Sequence, residues 1–183
     1  MPHKAAVSTP KPPKEELPNK SIEFSEKGRK WLISNEGSVT EILSGVINHV
    51  LYDDSLKLAT IGYGHLVSRK SIKHMADDAA QNPYINGITE DEAQRLLTSD
   101  LKFHVNGIRK NTKKPLTQEQ FDTLVSLSFN AGRSALMKSR IITHINKAEY
   151  VQAAESIKVF RVGGGNGPRR RREAFTFANG DYK

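Results

Sequence analysis

The chain has 183 residues, 37% of them hydrophobic, with 28 Lys and Arg against 20 Asp and Glu, a net charge of +8 and an isoelectric point near 9.7. That length supports one domain with a real core and excludes two large ones. The absence of cysteine excludes disulfides, thiolate metal sites and cysteine-nucleophile chemistry, and suits a fold made in a reducing cytosol.

No apolar run approaches the ~20 residues of a membrane helix, so stable membrane insertion is not expected. The six histidines show no HxH or HxxxH spacing, and neither a metal nor a cofactor is expected. A basic chain is drawn to polyanions, whether nucleic acid, anionic lipid or anionic cell wall, although net charge also serves solubility. Charge alone does not choose among these.

Residues 1–20 carry Pro2, Pro10, Pro12, Pro13 and Pro18 among lysines and few large apolar groups. Such a segment buries too little to offset its ordering entropy and is expected to be a disordered tail or linker, with residues 21–183 forming the folded domain. It also lacks the apolar stretch of a secretory signal, so no export address is expected. From Ser21 the pattern changes. Phe24, Trp31 and Leu32 recur near helical spacing through SEKGRKWLISNE, with Trp31 on the core face and Gly37 as the stop. Glu36 therefore falls at a helix C-terminus, where the negative pole of the dipole favours a carboxyl that keeps its proton.

Residues 38–66 are rich in β-branched and aromatic residues with turn residues between them, and predict a small antiparallel sheet of two or three strands. Gly62 and Gly64 allow close backbone approach within it. The remainder reads as helices. Thr89-Glu90-Asp91-Glu92 and Thr117-Gln118-Glu119-Gln120 fit capping boxes ahead of apolar runs, and Asn130-Ala131-Gly132 closes the second helix. Ile141, Ile142 and Ile145 mark a further helix, and residues 150–160 another. Gly163 to Pro168 is a loop ending in a helix-starting proline, and residues 169–178 form a final basic helix. The fold class is α+β, a small sheet lobe beside a helical bundle, with no internal repeat.

Splitting a glycosidic bond with water needs an acid on the leaving oxygen and a second group that handles the water. Glu36 at the helix end, Asp54 on the hairpin and the hydroxyl of Thr60 six positions on supply those groups. Two acids among 20 carry no signal by themselves, since most acids are simply solvated. The surrounding motifs carry it. Glu36-Gly37, Tyr52-Asp53-Asp54 and Thr60-Ile61-Gly62-Tyr63-Gly64-His65 resemble the active-site region of the phage-type lysozymes, glycoside hydrolase family 24. Leu116 to Asp122 and Phe129-Asn130-Ala131-Gly132 resemble that family's central helix. Tyr150-Val151-Gln152-Ala153-Ala154 resembles its next element. Gly164-Gly165, Gly167 and Arg169 to Glu173 resemble its Arg-rich ending. The likeness runs from about Phe24 to Tyr182.

The resemblance implies a lysozyme-like fold, with the cleft between a β lobe and a helical lobe. It implies a muramidase that hydrolyses the β-1,4 bond between N-acetylmuramic acid and N-acetylglucosamine of peptidoglycan. It places the acid on Glu36 and the water-handling pair on Asp54 and Thr60, with His65 and Asn130 as substrate-contacting positions. Asp53 is the alternative to Asp54. An Asn that ends a helix is also an ordinary cap, and His65 can serve structure alone. Arg169 to Arg172 read either as a solvated face or as a source of a partner for Glu36.

The sequence departs from the family pattern in three places. Residues 38–53 separate the two acids, more than in compact members, and are expected to lengthen the hairpin at the cleft edge. Lys57 stands where compact members carry Gly, so the turn is expected to be built differently. Pro168 and Arg169 stand where the family ending has Leu-Val, with packing as the expected consequence.

The resemblance also implies a monomer that acts on peptidoglycan strands without a nucleic-acid partner. Its expected setting is synthesis in the bacterial cytoplasm and action on the wall in the periplasm after release. The competing readings are a wall-binding module without activity, a lysozyme toxin domain delivered by a secretion system, a lytic transglycosylase that needs mainly the Glu, and a nucleic-acid binder built on the arginine run. The last requires stacking aromatics, and Phe175 and Phe177 read better as core.

Overall fold

The structure, a computed structural model of the chain, describes residues 18–76, 79 and 81–182. Helix α1 (Glu26–Glu36) starts because the Ser25 side chain accepts the Gly28 N–H, and stops at Gly37, whose φ of +68° suits glycine. Five short strands follow: β1 (Thr40–Leu43), β2 (Val46–His49), β3 (Tyr52–Asp53), β4 (Ala59–Ile61) and β5 (His65–Ser68). They form two sheets rather than one. β1 and β2 make a separate antiparallel hairpin in which Ile42 lies opposite Ile47, and β3-β4-β5 make the three-stranded sheet. The residues between the two acids thus do not lengthen the cleft hairpin. The left-handed Ser44-Gly45 pair turns the chain early and builds an extra hairpin of its own.

Helix α2 (Glu90–Asn111) opens on a complete Thr89–Glu92 capping box, and α3 (Gln118–Ala131) on a complete Thr117–Gln120 box. The bundle is completed by α4 (Arg133–Met137), α5 (Arg140–Asn146), α6 (Tyr150–Lys158) and α7 (Gly167–Asn179). The short helix α4 has no counterpart among the sequence expectations. α3 lies at the centre. Every residue from Phe121 to Ser128 is buried, and the core around it takes Leu32 from α1, Leu97, Leu101 and Ile108 from α2, and Phe177 from α7. Trp31 is 7% exposed and belongs to the buried set. A smaller cluster of Ile61, Ile88 and Ala93 joins the three-stranded sheet to the start of α2.

Most of the expected tail lies outside the described residues, but its last part does not. Asn19 is buried, donates to Thr112 Oγ1 at 2.9 Å and to the Lys114 carbonyl at 2.8 Å, and accepts from the Leu116 N–H at 3.0 Å. The packed body therefore begins before Ser21.

The start of α1 is pinned to α3 through Asp122. Its fully buried carboxylate accepts from the Ser25 N–H and hydroxyl, from Gln118 Nε2 and from the Tyr182 hydroxyl. Gly28 faces this group so closely that an added Cβ would sit 2.4 Å from Asp122 Oδ2. Gly→Ala in an ordinary helix interior stabilises by up to ~1 kcal/mol. At position 28 the overlap reverses the sign, and Gly28→Ala is expected to destabilise the fold by about 1–3 kcal/mol. A chemical-denaturation midpoint equal to or above wild type would show that Asp122 can step aside.

Candidate active site

The last residue of α1 is Glu36, and Gly37 closes the helix by donating its N–H to the Ile33 carbonyl at 3.1 Å. The Glu36 side chain is 15% exposed and meets Arg169 Nη2 of α7 at 2.5 Å. Arg169 also donates from Nε to Glu173 at 3.0 Å and from Nη2 to the Ser126 hydroxyl at 3.3 Å. Glu173, wholly buried, takes a second guanidinium from Arg170, which in turn donates to the Phe160 carbonyl at 2.8 Å and to Asn130 Oδ1. One continuous ionic chain therefore runs Glu36–Arg169–Glu173–Arg170–Asn130 and joins α1, α3 and α7.

The four arginines divide by helical geometry. Arg169 and Arg170 are buried, whereas Arg171 and Arg172 are exposed. Arg169 does more than pack at the position of the family's Val: it touches the candidate acid itself, which is the partner reading of the arginine run rather than the solvated-face one. The signal was present in the i,i+4 and i,i+3 spacing of Arg169 and Arg170 to Glu173.

Strand alternation sorts the second set of groups. Tyr52 pairs with Thr60 and Asp53 with Ala59. Tyr52 and Thr60 therefore share one face of the sheet, and Asp53 points to the other. Asp53 is committed there: it accepts from the Ser71 hydroxyl at 2.6 Å and from the Ile72 N–H at 2.9 Å. The Ser71 bond, then that of Ile72, holds its carboxyl below the usual range. It anchors a 3-10 turn on the face of the sheet away from Tyr52 and Thr60.

Asp54 sits in the turn after β3. Its Oδ1 accepts the Leu56 and Leu58 N–H groups at 2.8 and 2.9 Å, and among the described residues its Oδ2 has no hydrogen-bond partner. Lys57 takes the left-handed conformation in this turn, with φ of +62°. The turn is therefore not rebuilt around the missing glycine; the lysine accepts a conformation costing roughly 1–2 kcal/mol.

Tyr52 joins the two halves of the site. Burial first, then the negative charges of Glu36 and of Asp54, push its phenol up from the ordinary value, and the Gly64 backbone hydrogen-bonds to it. Two carboxylates from different elements thus act on one phenol. Tyr52 belonged to the recognised motif but was not singled out as a site residue; its alternation with Asp54 and its pairing opposite Thr60 place it there. Thr60 is 3% exposed and donates its hydroxyl to the Leu58 carbonyl at 3.0 Å, which leaves the oxygen free to accept.

His65 and Asn130 stand apart from this group. His65 Nδ1 meets Asp100 Oδ2 at 2.8 Å and lines a groove of about 370 Å³ with Gly64, Leu66, Phe103, His104 and Phe129. Asn130 lines a different groove, of about 410 Å³, with Arg161, Asn166 and Arg170. Since Arg170 occupies its Oδ1, Asn130 is part of the ionic frame. Among the described residues no three His, Asp or Glu side chains gather closely enough to hold a metal, and no helix is long and apolar enough to cross a membrane.

Cutting the ionic chain leaves a buried carboxylate without its partner. Arg169→Met is expected to cost about 3–5 kcal/mol, read as a fall in the denaturation midpoint. A loss under 1 kcal/mol would mean that Glu173 is satisfied by Arg170 and Ser126 alone.

The two histidines of the 370 Å³ groove titrate in opposite senses. The Asp100 hydrogen bond raises His65, so its contribution to stability is full below pH 6.5 and is lost as pH climbs through the raised value. Burial lowers His104 to about 4, so its contribution is full above pH 6.5 and is lost as pH falls toward 4. Urea midpoints across this range should show His65→Gln flattening the alkaline loss and His104→Gln flattening the acid loss, the latter by about 1–2 kcal/mol after screening. Superimposable pH profiles for wild type and variants would contradict both assignments.

Comparison with known proteins places this geometry. The phage lysozyme family model matches residues 44–174, a span that includes Asp54, Thr60, His65, Asn130 and Arg169 and begins after Glu36. The endolysin of Bacillus phage B103 is 30% identical over 88% of this chain and 56% of its own length. The endolysin of Salmonella phage P22 is 33% identical over 69% of this chain and 84% of its own. The chain thus spans little more than half of the first relative and most of the second. Among solved structures, an endolysin from Escherichia coli O157:H7 phage FAHEc1 superposes with a TM-score of 0.70 at 26% identity, covering 89% of this chain and 98% of that one. A P22 lysozyme point mutant gives 0.66 at 29% identity, covering 86% and 99%. From sequence and fold together, the chain belongs to the phage lysozyme family.

Proposed function

We propose that the protein hydrolyses the β-1,4 bond between N-acetylmuramic acid and N-acetylglucosamine in bacterial peptidoglycan and so lyses the cell wall. The observation that carries this reading is the Glu36 carboxyl held at the end of α1 by Arg169, with Asp54 in the turn after β3 keeping an unbonded Oδ2 among the described residues and Thr60 on the adjoining strand. The relatives named endolysins support it. Glu36, protonated once the glycan is bound, donates its proton to the leaving glycosidic oxygen as the bond to the anomeric carbon breaks. Asp54, through the unoccupied Oδ2, takes a proton from the attacking water, and the Thr60 hydroxyl accepts the water's second hydrogen. The new carbon–oxygen bond leaves a reducing muramic end; Asp54 then releases the water's proton to solvent and Glu36 takes one up, which restores both groups. Arg169 is the positioning residue that fixes the Glu36 carboxylate at the end of α1.

The lytic transglycosylase alternative dispenses with water and yields an anhydro end. The wall-binding alternative makes no cut. Removing the acid proton should cost several kcal/mol of transition-state stabilisation, roughly a thousandfold in rate. Glu36→Gln is therefore expected to abolish clearing of wall suspensions while its circular dichroism spectrum stays that of a folded protein, with a lowered melting temperature that reflects the lost charge opposite Arg169 and remains above the assay temperature. Mass spectrometry of wild-type digests should show reducing muramic ends. Undiminished clearing by Glu36→Gln would remove the acid from Glu36, and anhydro ends would replace the hydrolase with a transglycosylase.

A further inference from the structure

A groove unrelated to the acids runs between α1 and α2. Its larger part, about 680 Å³, is lined by Arg29, Lys30, Ile33, Arg95 and Lys102 among others, and its smaller part, about 200 Å³, continues past Phe24 and Leu101 to Arg109. Arg29, Thr98 and Lys102 line both parts. The groove therefore carries five cations, Arg29, Lys30, Arg95, Lys102 and Arg109, against two carboxylates, Glu23 and Glu26. Glu23 is engaged by Arg109, and Glu26 lies 4.0 Å from Lys30.

The cations form a row rather than a patch. Arg95, Lys102 and Arg109 recur every seven residues along α2, so they stand ~10.5 Å apart over ~21 Å on nearly one face of the helix. Arg29 faces them from α1. Its guanidinium is already fixed by Gln94 Oε1 at 3.2 Å and Thr98 Oγ1 at 2.7 Å, which lowers the ordering cost of any bond it makes to a ligand. Arg95 and Lys102 are exposed, and among the described residues neither makes a hydrogen bond or ion pair. The partly buried apolar side chains of Ile33 and Phe24 line the groove alongside the charges.

We propose that this groove is a second, non-catalytic binding site for a linear phosphodiester polymer of the polyol-phosphate or sugar-phosphate kind found in teichoic acids. Two walls of opposed cations embrace a single strand, whereas a planar lipid surface would meet one wall only. Separated charges with apolar surface alongside them match a polymer in which phosphates alternate with uncharged units. Arginine supplies the forked donors that phosphate oxygens accept. Nucleic acid shares the phosphodiester but also calls for aromatic platforms, and among the described residues the one aromatic side chain lining the groove is the half-buried Phe24. The groove meets the His65 groove only at Ser99, and Glu36 does not line it. A strand held here would tether the protein to the wall without occupying the catalytic groups. The inference goes beyond the hydrolase reading and does not depend on it.

The test is binding of end-labelled poly(glycerol phosphate) to the full chain by fluorescence anisotropy over a salt series, which involves no cleavage. Wild type should bind with affinity that falls as salt rises. Arg95→Gln combined with Lys102→Gln should bind roughly tenfold or more weakly, with a shallower salt dependence, while its melting temperature and cleavage of soluble glycan stay unchanged. Equal affinity of wild type and double variant, binding insensitive to salt, or equally tight binding of oligothymidylate or of phosphatidylglycerol vesicles would each overturn the proposal.

Discussion

The site depends first on the buried pairing of two guanidinium groups with two carboxylates, Arg169 and Arg170 with Glu36 and Glu173. Taking any one of these ions out of water costs several kcal/mol, and only close, fully bonded geometry repays it. Glu173 and Arg170 are completely buried and Arg169 nearly so. The helix that carries them can therefore not slide or rotate against α1 and α3 without stranding a charge. A network of this kind contributes little net stability relative to an apolar core of the same volume. What it contributes is position: it fixes where the end of α1, and hence Glu36, lies.

The other end of α1 is held with equal care. Asp122 of α3 gathers Ser25, Gln118 and Tyr182 around the first turn, and Gly28 is the residue that lets α1 come this close. The helix is ~16 Å long. It is gripped by a carboxylate from α3 at its start and by a guanidinium from α7 at its finish. Its low share of apolar residues, with Gly28, Trp31 and Leu32 the buried ones, shows why polar contacts have to do this. Hydrophobic burial alone would leave the rotation of so polar a helix loosely specified.

Local signals were legible in the sequence and long-range ones were not. The capping boxes at Thr89 and Thr117, the Gly37 stop and the helical bundle could be read because each depends on residues within one turn of one another. The lysozyme-like α+β fold followed from motifs in their order. The early turn at Ser44-Gly45 was missed because residues 38–53 are β-rich throughout, and nothing local marks where one sheet ends and another begins. The hydrogen bonds that set Asp53 apart from Asp54 come from Ser71 and Ile72, residues 18 and 19 positions away. The role of Arg169 rested on a contact across 133 positions. Asn19 looked like tail because its partners lie beyond Asn111. Lys57 shows the opposite failure: a residue that disfavours a conformation can still adopt it when Asp54 pins the turn from both sides.

Glu36 belongs to the bundle, while Asp54 and Thr60 belong to the sheet, so their relation is only as fixed as the joint between the two. That joint is α2. At its first turn Glu90 takes the Tyr63 hydroxyl at 2.8 Å and His49 Nε2 at 2.7 Å, while His49 and Ile88 exchange backbone hydrogen bonds at 2.8 Å. Ten residues along, Asp100 takes His65. The sheet lobe is thus fastened to one helix at two points ~15 Å apart. The first fastening also captures the base of the extra β1–β2 hairpin, whose outer residues Ile42 and Ile47 remain exposed. Both fastenings pass through a histidine, and hydrogen bonds there tie the sheet to the bundle without covalent support in a chain that has no cysteine. On the sheet, half-buried Tyr52 stands opposite Thr60, and burial, then the charge of Glu36, then that of Asp54, raise its phenol above the ordinary value.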